Sequence, residues 1–204
     1  MSVDRKLSVE ADKFISGLIN SKIDFDIIDL PSRRLTISIK DDIRIPTGWL
    51  TIQKMKFNKL PVNILSAQNF KIHHDGFRDF TGLSCTMISG DCTFEGSFSS
   101  LENLDIDCSK SLLLRSKKLT NLSHISKHVK SCQTLRLFSP IESHLLDALR
   151  IENLSVIEIP IHSKFELRLS KAVEIINTYL DTKGDILDCQ QELIDAGLKQ
   201  FAQL

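Results

Sequence analysis

The chain has 204 residues, 42% of them hydrophobic, and carries 26 Lys plus Arg against 26 Asp plus Glu. That length and apolar content suit one medium-sized domain with a core of its own and exclude a disordered chain. The zero formal charge excludes a global field that would draw in nucleic acid or an anionic membrane.

The N-terminal stretch MSVDRKLSVEADKF is charged and lacks the apolar centre of a secretory signal, and no apolar run is long enough to span a membrane. Residues 8–21, SVEADKFISGLINS, place Val9, Phe14, Ile15, Leu18 and Ile19 at helical spacing, with Ser8 as N-cap. DFDIIDL (24–30) and RRLTISI (33–39) then read as strands separated by Pro31 and Ser32, and IPTGWLTI (45–52) as a third.

From residue 69 onward the chain repeats itself. Strand-like cores recur as NFKIHH (69–74), CTFEG (92–96), SLLLRS (111–116), TLRLFS (134–139) and SVIEIP (155–160). With Ile72, Phe94, Leu114, Leu137 and Ile157 as equivalent anchors, the spacings are 22, 20, 23 and 20 residues. A second apolar pair follows the first three anchors: Phe80 with Leu83, Phe98 with Leu101 and Leu119 with Leu122; Ile141 and Leu145 follow more loosely in the fourth unit. This period falls in the range of leucine-rich repeats, whose units are too small to bury an apolar face alone and must stack on their neighbours. A β-sandwich is the competing arrangement, but it calls for tight-turn signals between strands, and only Asp75-Gly76 supplies one. Residues 170–204 hold two helical patterns broken at Thr182-Lys183-Gly184. The second starts after Asp185, an N-cap, and sets Ile186, Leu187, Leu193, Ile194, Leu198 and Phe201 on an apolar face that can cover an exposed end of the stack.

Within this pattern WLTIQKMKFNKLP (49–61), GDCTFEGSFSSLENL (90–104), KKLTNLSHI (117–125) and the tail ILDCQQELIDAGLKQFAQL (186–204) resemble small leucine-rich-repeat-like proteins encoded by large tailed bacteriophages. The resemblance implies a short solenoid and a viral origin. It implies no activity, since members of that group are mostly uncharacterised. The asparagine ladder common in such repeats is largely missing: Asn103 and Asn121 sit inside apolar runs, which implies irregular coils.

Catalytic signatures are absent: the sequence has no GxSxG, HExxH, GxGxxG or phosphate-loop motif. His73 and His74 would point to opposite faces of a strand and so cannot easily share a metal. His124 and His128 have i, i+4 spacing, but only Cys132 stands near as a third ligand, so exposed histidines on a return segment are the expectation. The cysteines at 85, 92, 108, 132 and 189 are odd in number and form no CxxC, which favours reduced thiols in a cytoplasmic protein, acting as small core hydrophobes.

Charge is more informative. Asp91, Glu95, Glu102, Asp105 and Asp107 form an acidic block without a cation, followed by a basic block without an anion: Lys110, Arg115, Lys117, Lys118, Lys127, Lys130 and Arg136. In stacked units these blocks are neighbours, so they either neutralise each other across the boundary or form a polarised face for a protein partner. The candidate partner-binding residues are Arg115, Lys117, Lys118, Lys127, Lys130, Glu95, Glu102 and Asp105. The zero net charge and the absence of an aromatic before Phe138 argue against nucleic acid.

The expected fold is α+β: an N-terminal helix and β cap over 1–47, a short irregular β-solenoid of leucine-rich-repeat type over 48–165, and a C-terminal helical cap over 166–204. The expected function is non-enzymatic protein–protein interaction, with no cofactor and no metal. The bacteriophage resemblance implies an inhibitor or redirector of a host protein, acting in the host cytoplasm. The alternatives are a self-assembling phage protein, which would be a homo-oligomer, and a binder of an anionic ligand or nucleic acid through residues 110–136.

Overall fold

The computed structural model describes residues 16, 25–29, 35–39, 43–53, 64–73, 77–80, 85–160, 166–182 and 184–204. The chain is mixed α/β, dominated by parallel strands with few helices. The helix expected over 8–21 lies outside the described residues apart from Ser16, which is helical. The first two expected strands form an antiparallel pair, β1 (Phe25–Asp29) with β2 (Leu35–Ile39).

Every other pairing among the described strands is parallel, which rules out the antiparallel sandwich. One ladder joins the C-terminal halves of β3 (Ile43–Gln53) and β4 (Ile64–His73) to β6 (Cys92–Gly96), β8 (Ser111–Ser116), β10 (Thr134–Leu137) and β11 (Val156–Glu158). A second ladder leaves the N-terminal half of β4 through β5 (Cys85–Ile88) and β7 (Ile106–Cys108) to β9 (Val129–Ser131). From β5 to β10 each successive unit therefore gives one strand to each ladder, and after β9 the second ladder continues only as an isolated bridge between Ser131 and Glu152.

The first ladder follows the sequence expectation closely, with one correction. Ile72 pairs with Phe94, Phe94 with Leu114 and Leu114 with Leu137, but Ile157 pairs with Leu135. The last spacing is thus 157 − 135 = 22 residues rather than 20. Both Leu135 and Leu137 point inward, and a slip of two residues keeps every side chain on its own face, so apolar pattern alone cannot detect it.

The ladders enclose one core. In the early units it is aromatic: Phe80 lies 5.1 Å from both Phe94 and Phe98, and 5.0 Å from Phe77, in edge-on arrangements favoured by the ring quadrupole. Later units substitute Leu112, Leu114, Leu119, Leu122, Leu135 and Leu137, all fully buried. The corners between strands are bonded from one unit to the next. Asn69 Oδ1 accepts from the Asp91 amide at 2.8 Å, and Asp91 Oδ1 accepts in turn from the Ser111 amide at 3.3 Å. Gly90 fits beneath this chain because an added Cβ would lie 2.2 Å from Asn69 Oδ1. After the strands, buried Ser116 donates its amide to Ser139 Oγ and its hydroxyl to the Phe98 carbonyl. On the return side, Asn103, His124 and Asn153 adopt positive φ inside the same three-residue closure, with the Leu104, Ile125 and Leu154 amides bonding to the Leu101, Leu122 and Ile151 carbonyls. Asn and His are among the side chains that tolerate this left-handed geometry.

The helical tail matches its sequence pattern. α1 (Ile125–His128) is a single turn, whereas α2 (Glu166–Thr182) and α3 (Ile186–Asp195) are the two expected at the C-terminus. Asp185 caps α3 by accepting from the Leu187 amide at 2.7 Å. At the other end Gly197, at φ 75°, closes the helix, with the Leu198 amide on the Leu193 carbonyl and the Gly197 amide on the Ile194 carbonyl. Leu187 departs from the expectation: it is 63% exposed rather than part of the covering face. Residues 200 and 201 are stitched to the preceding unit, their carbonyls accepting from the His144 and Leu146 amides.

α2 closes the exposed edge of the first ladder through one side chain. Asn177 Oδ1 accepts from the Ile157 amide at 2.8 Å, and its Nδ2 donates to the Ile157 carbonyl at 2.9 Å. The amide group thereby pairs with β11 as a further strand would. Asn177→Leu removes both bonds and leaves two peptide groups without partners at a partly buried edge, a loss of about 1–3 kcal/mol. Urea unfolding should show that loss, and light scattering should show concentration-dependent association as the edge becomes available.

Candidate binding face

Along the first ladder, side chains alternate between core and solvent, as period-two geometry requires. Phe70, Ile72, Cys92, Phe94, Leu112, Leu114, Leu135, Leu137 and Ile157 point inward and are buried. The intervening positions form two outward rows that cross the strands in register. One row runs Lys71, Thr93, Leu113, Arg136, Glu158, and the other His73, Glu95, Arg115. Phe138 extends the second row directly after β10, and the Arg115 guanidinium carbon lies 4.7 Å from its ring centroid.

Register brings opposite charges face to face. Glu95 accepts from Arg115 Nη1 at 3.1 Å, and its other oxygen lies 2.6 Å from His73 Nδ1. Arg136 Nε donates to Glu158 at 2.8 Å. On the second ladder, Lys130 Nζ lies 2.7 Å from Asp105 Oδ1. The eight residues proposed from sequence therefore do not form one patch. Glu95 with Arg115 and Asp105 with Lys130 are cross-unit pairs on two different ladders. Lys117 and Lys118 sit exposed in the turn after β8, Lys127 is exposed on α1, and Glu102 is exposed in the turn beside Asn103. Sequence reasoning missed His73, Leu113, Arg136, Phe138 and Glu158 as members of the outward face. Their signal was the period-two position beside each anchor, which apolar anchors alone leave unread.

Elsewhere the polar groups serve the fold. Asp147, 1% exposed, takes the Ser126 amide at 3.0 Å and its hydroxyl at 2.9 Å, holding α1 against the following unit. His124 occupies the positive-φ corner and His128 Nδ1 lies 3.1 Å from the Leu104 carbonyl. Among the described residues no three His, Cys, Asp or Glu are gathered in metal-binding geometry, and no helix is long and apolar enough to cross a membrane. Comparison with protein-family models, with curated proteins and with solved structures finds no match to the chain.

Burial pushes the Glu95 carboxyl up, but hydrogen bonds from His73 and Arg115, together with their charge, outweigh it and hold the group below its ordinary value. Such a group stabilises the fold above its unfolded pKa and loses that contribution as pH falls through the lowered folded value. Glu95→Gln should thus cost stability at neutral pH, and the gap in melting temperature from the parent chain should close as pH drops below about 4. A gap that does not narrow with acid would mean that the Glu95 charge contributes nothing.

The thiols behave as core. Burial pushes Cys108 up to about 11 and Cys132 up to about 12, the latter helped by nearby Cys108. Burial, then Glu192, takes Cys189 to about 12. Iodoacetamide at mildly alkaline pH, read by peptide mass spectrometry, should leave these three unlabelled in the folded chain and label all three in guanidinium.

Proposed function

We propose that the chain is a short, irregular solenoid of leucine-rich-repeat type that acts as a non-enzymatic protein-binding module. In this reading it is encoded by a bacteriophage and binds a host protein in the host cytoplasm, inhibiting or redirecting it. The repeat motifs quoted above support the origin, and the units of 20 to 23 residues in parallel register support the repeat type. One observation carries the functional step: the outward face of the first ladder. It presents rows of mixed charged and apolar side chains on a backbone fixed by its neighbours, so a partner meets a surface already ordered and little entropy is lost on docking.

Affinity purification of a tagged copy expressed in bacterial host cells tests the reading. A stoichiometric host protein, retained at moderate salt, is the expected result. Recovery of the chain alone, as a defined oligomer by light scattering, would replace this reading with self-assembly.

A further inference from the structure

Resting on that partner-binding reading, the outward face of the first ladder limits the chemistry of the partner. Across β6, β8, β10 and β11 the outward face carries Glu95, Arg115, Arg136 and Glu158, one charge per strand in the order negative, positive, positive, negative. The two cations occupy neighbouring central strands, about 4.8 Å apart in the pairing direction. Arg136 pairs in register with Leu113, and Arg115 stacks over Phe138. The centre of the face is thus a two-by-two block in which guanidinium and apolar group alternate along both directions.

Each arginine is held but not exhausted. Glu95 takes one N–H of Arg115, and Glu158 takes one N–H of Arg136, whereas a guanidinium has five donors. Both side chains stay nearly half exposed, at 46% and 43%. Exposed ion pairs of this kind hold weakly, so a second carboxylate can add to either guanidinium or displace its partner. What the glutamates and Phe138 do supply is orientation, which cuts the ordering cost of binding. Arginine beside aromatic surface is also the composition that dominates binding energy at protein interfaces.

We propose that this block receives a short acidic–apolar segment of a protein partner. One carboxylate lies against each of Arg115 and Arg136, and a large apolar side chain rests on Leu113 and Phe138. The flanking Glu95 and Glu158 set the limit of the acidic cluster: a nucleic-acid backbone continuing across the strands would carry its phosphates onto those carboxylates.

Fluorescence anisotropy with labelled synthetic peptides tests the assignment, using sequences with paired Asp or Glu beside Phe or Leu, matched controls with Gln in place of the acids, and a labelled single-stranded oligonucleotide. Acidic–apolar peptides should bind in preference to both controls. Arg115→Ala with Arg136→Ala, measured well below the variant's own melting transition, should weaken that binding by about tenfold or more. Equal binding of the Gln controls, preference for the oligonucleotide, or unchanged affinity in the double variant would overturn it. The two levels separate cleanly in the affinity purification: a host protein recovered equally by the double variant sinks this assignment and leaves partner binding standing. Recovery of no partner by either chain takes down both.

Discussion

Parallel pairing in register ties the side chain at one position of a unit to the side chain at the same position of the next. Phe70 and Ile72 sit opposite Cys92 and Phe94, these opposite Leu112 and Leu114, and these opposite Leu135 and Leu137. Each position is therefore a column, and a column tolerates only one kind of environment. The buried columns can change from Phe to Leu along the stack because both are large and apolar. They cannot take a charge, since no neighbouring unit supplies a partner inside. The corners obey the same rule with polar groups: the Asn69, Asp91 and Ser111 chain and the Ser116 with Ser139 step give turning peptide groups a partner in the adjacent unit.

The same register explains why two blocks of like charge in the sequence are harmless in the fold. Within a unit, like charges are spread along the coil; between units, Glu95 meets Arg115 and Asp105 meets Lys130. Each contact is a modest surface pair. Their joint effect lies in alignment, because a unit shifted by two residues would keep its apolar residues inward but lose its ionic matches. The ion pairs thus favour the same register as the cross-unit hydrogen bonds at the corners.

This also sets what was legible in the sequence. The strands of the first ladder were readable because most offer two inward apolar residues, as in CTFEG and SLLLRS, and β6 and β8 fall on the quoted segments. Those of the second ladder were not: IDC and VKS are three residues long, with a charged residue between the inward positions, too short for period two to register. The helical tail was readable from its apolar spacing and from Gly184 with Asp185, which act through local backbone geometry; Gly197 was not read as the helix end. The binding face was half legible. Glu95 and Arg115 stood out as charges, but Phe138 and Leu113 read as repeat residues until register placed them on the outer face. Asn177 gave no signal at all, since a polar residue in a helix is ordinary until the strand edge that it meets is known.

That asparagine also bears on which residues the end of the sheet can tolerate. Its two bonds go to the amide and carbonyl of Ile157, groups that every residue except proline possesses. The hydrogen-bonded part of the closure is thus blind to the identity of the side chain at the end of the sheet. Any residue but proline at position 157 would present the same two groups to α2, so these two bonds survive a change of side chain there.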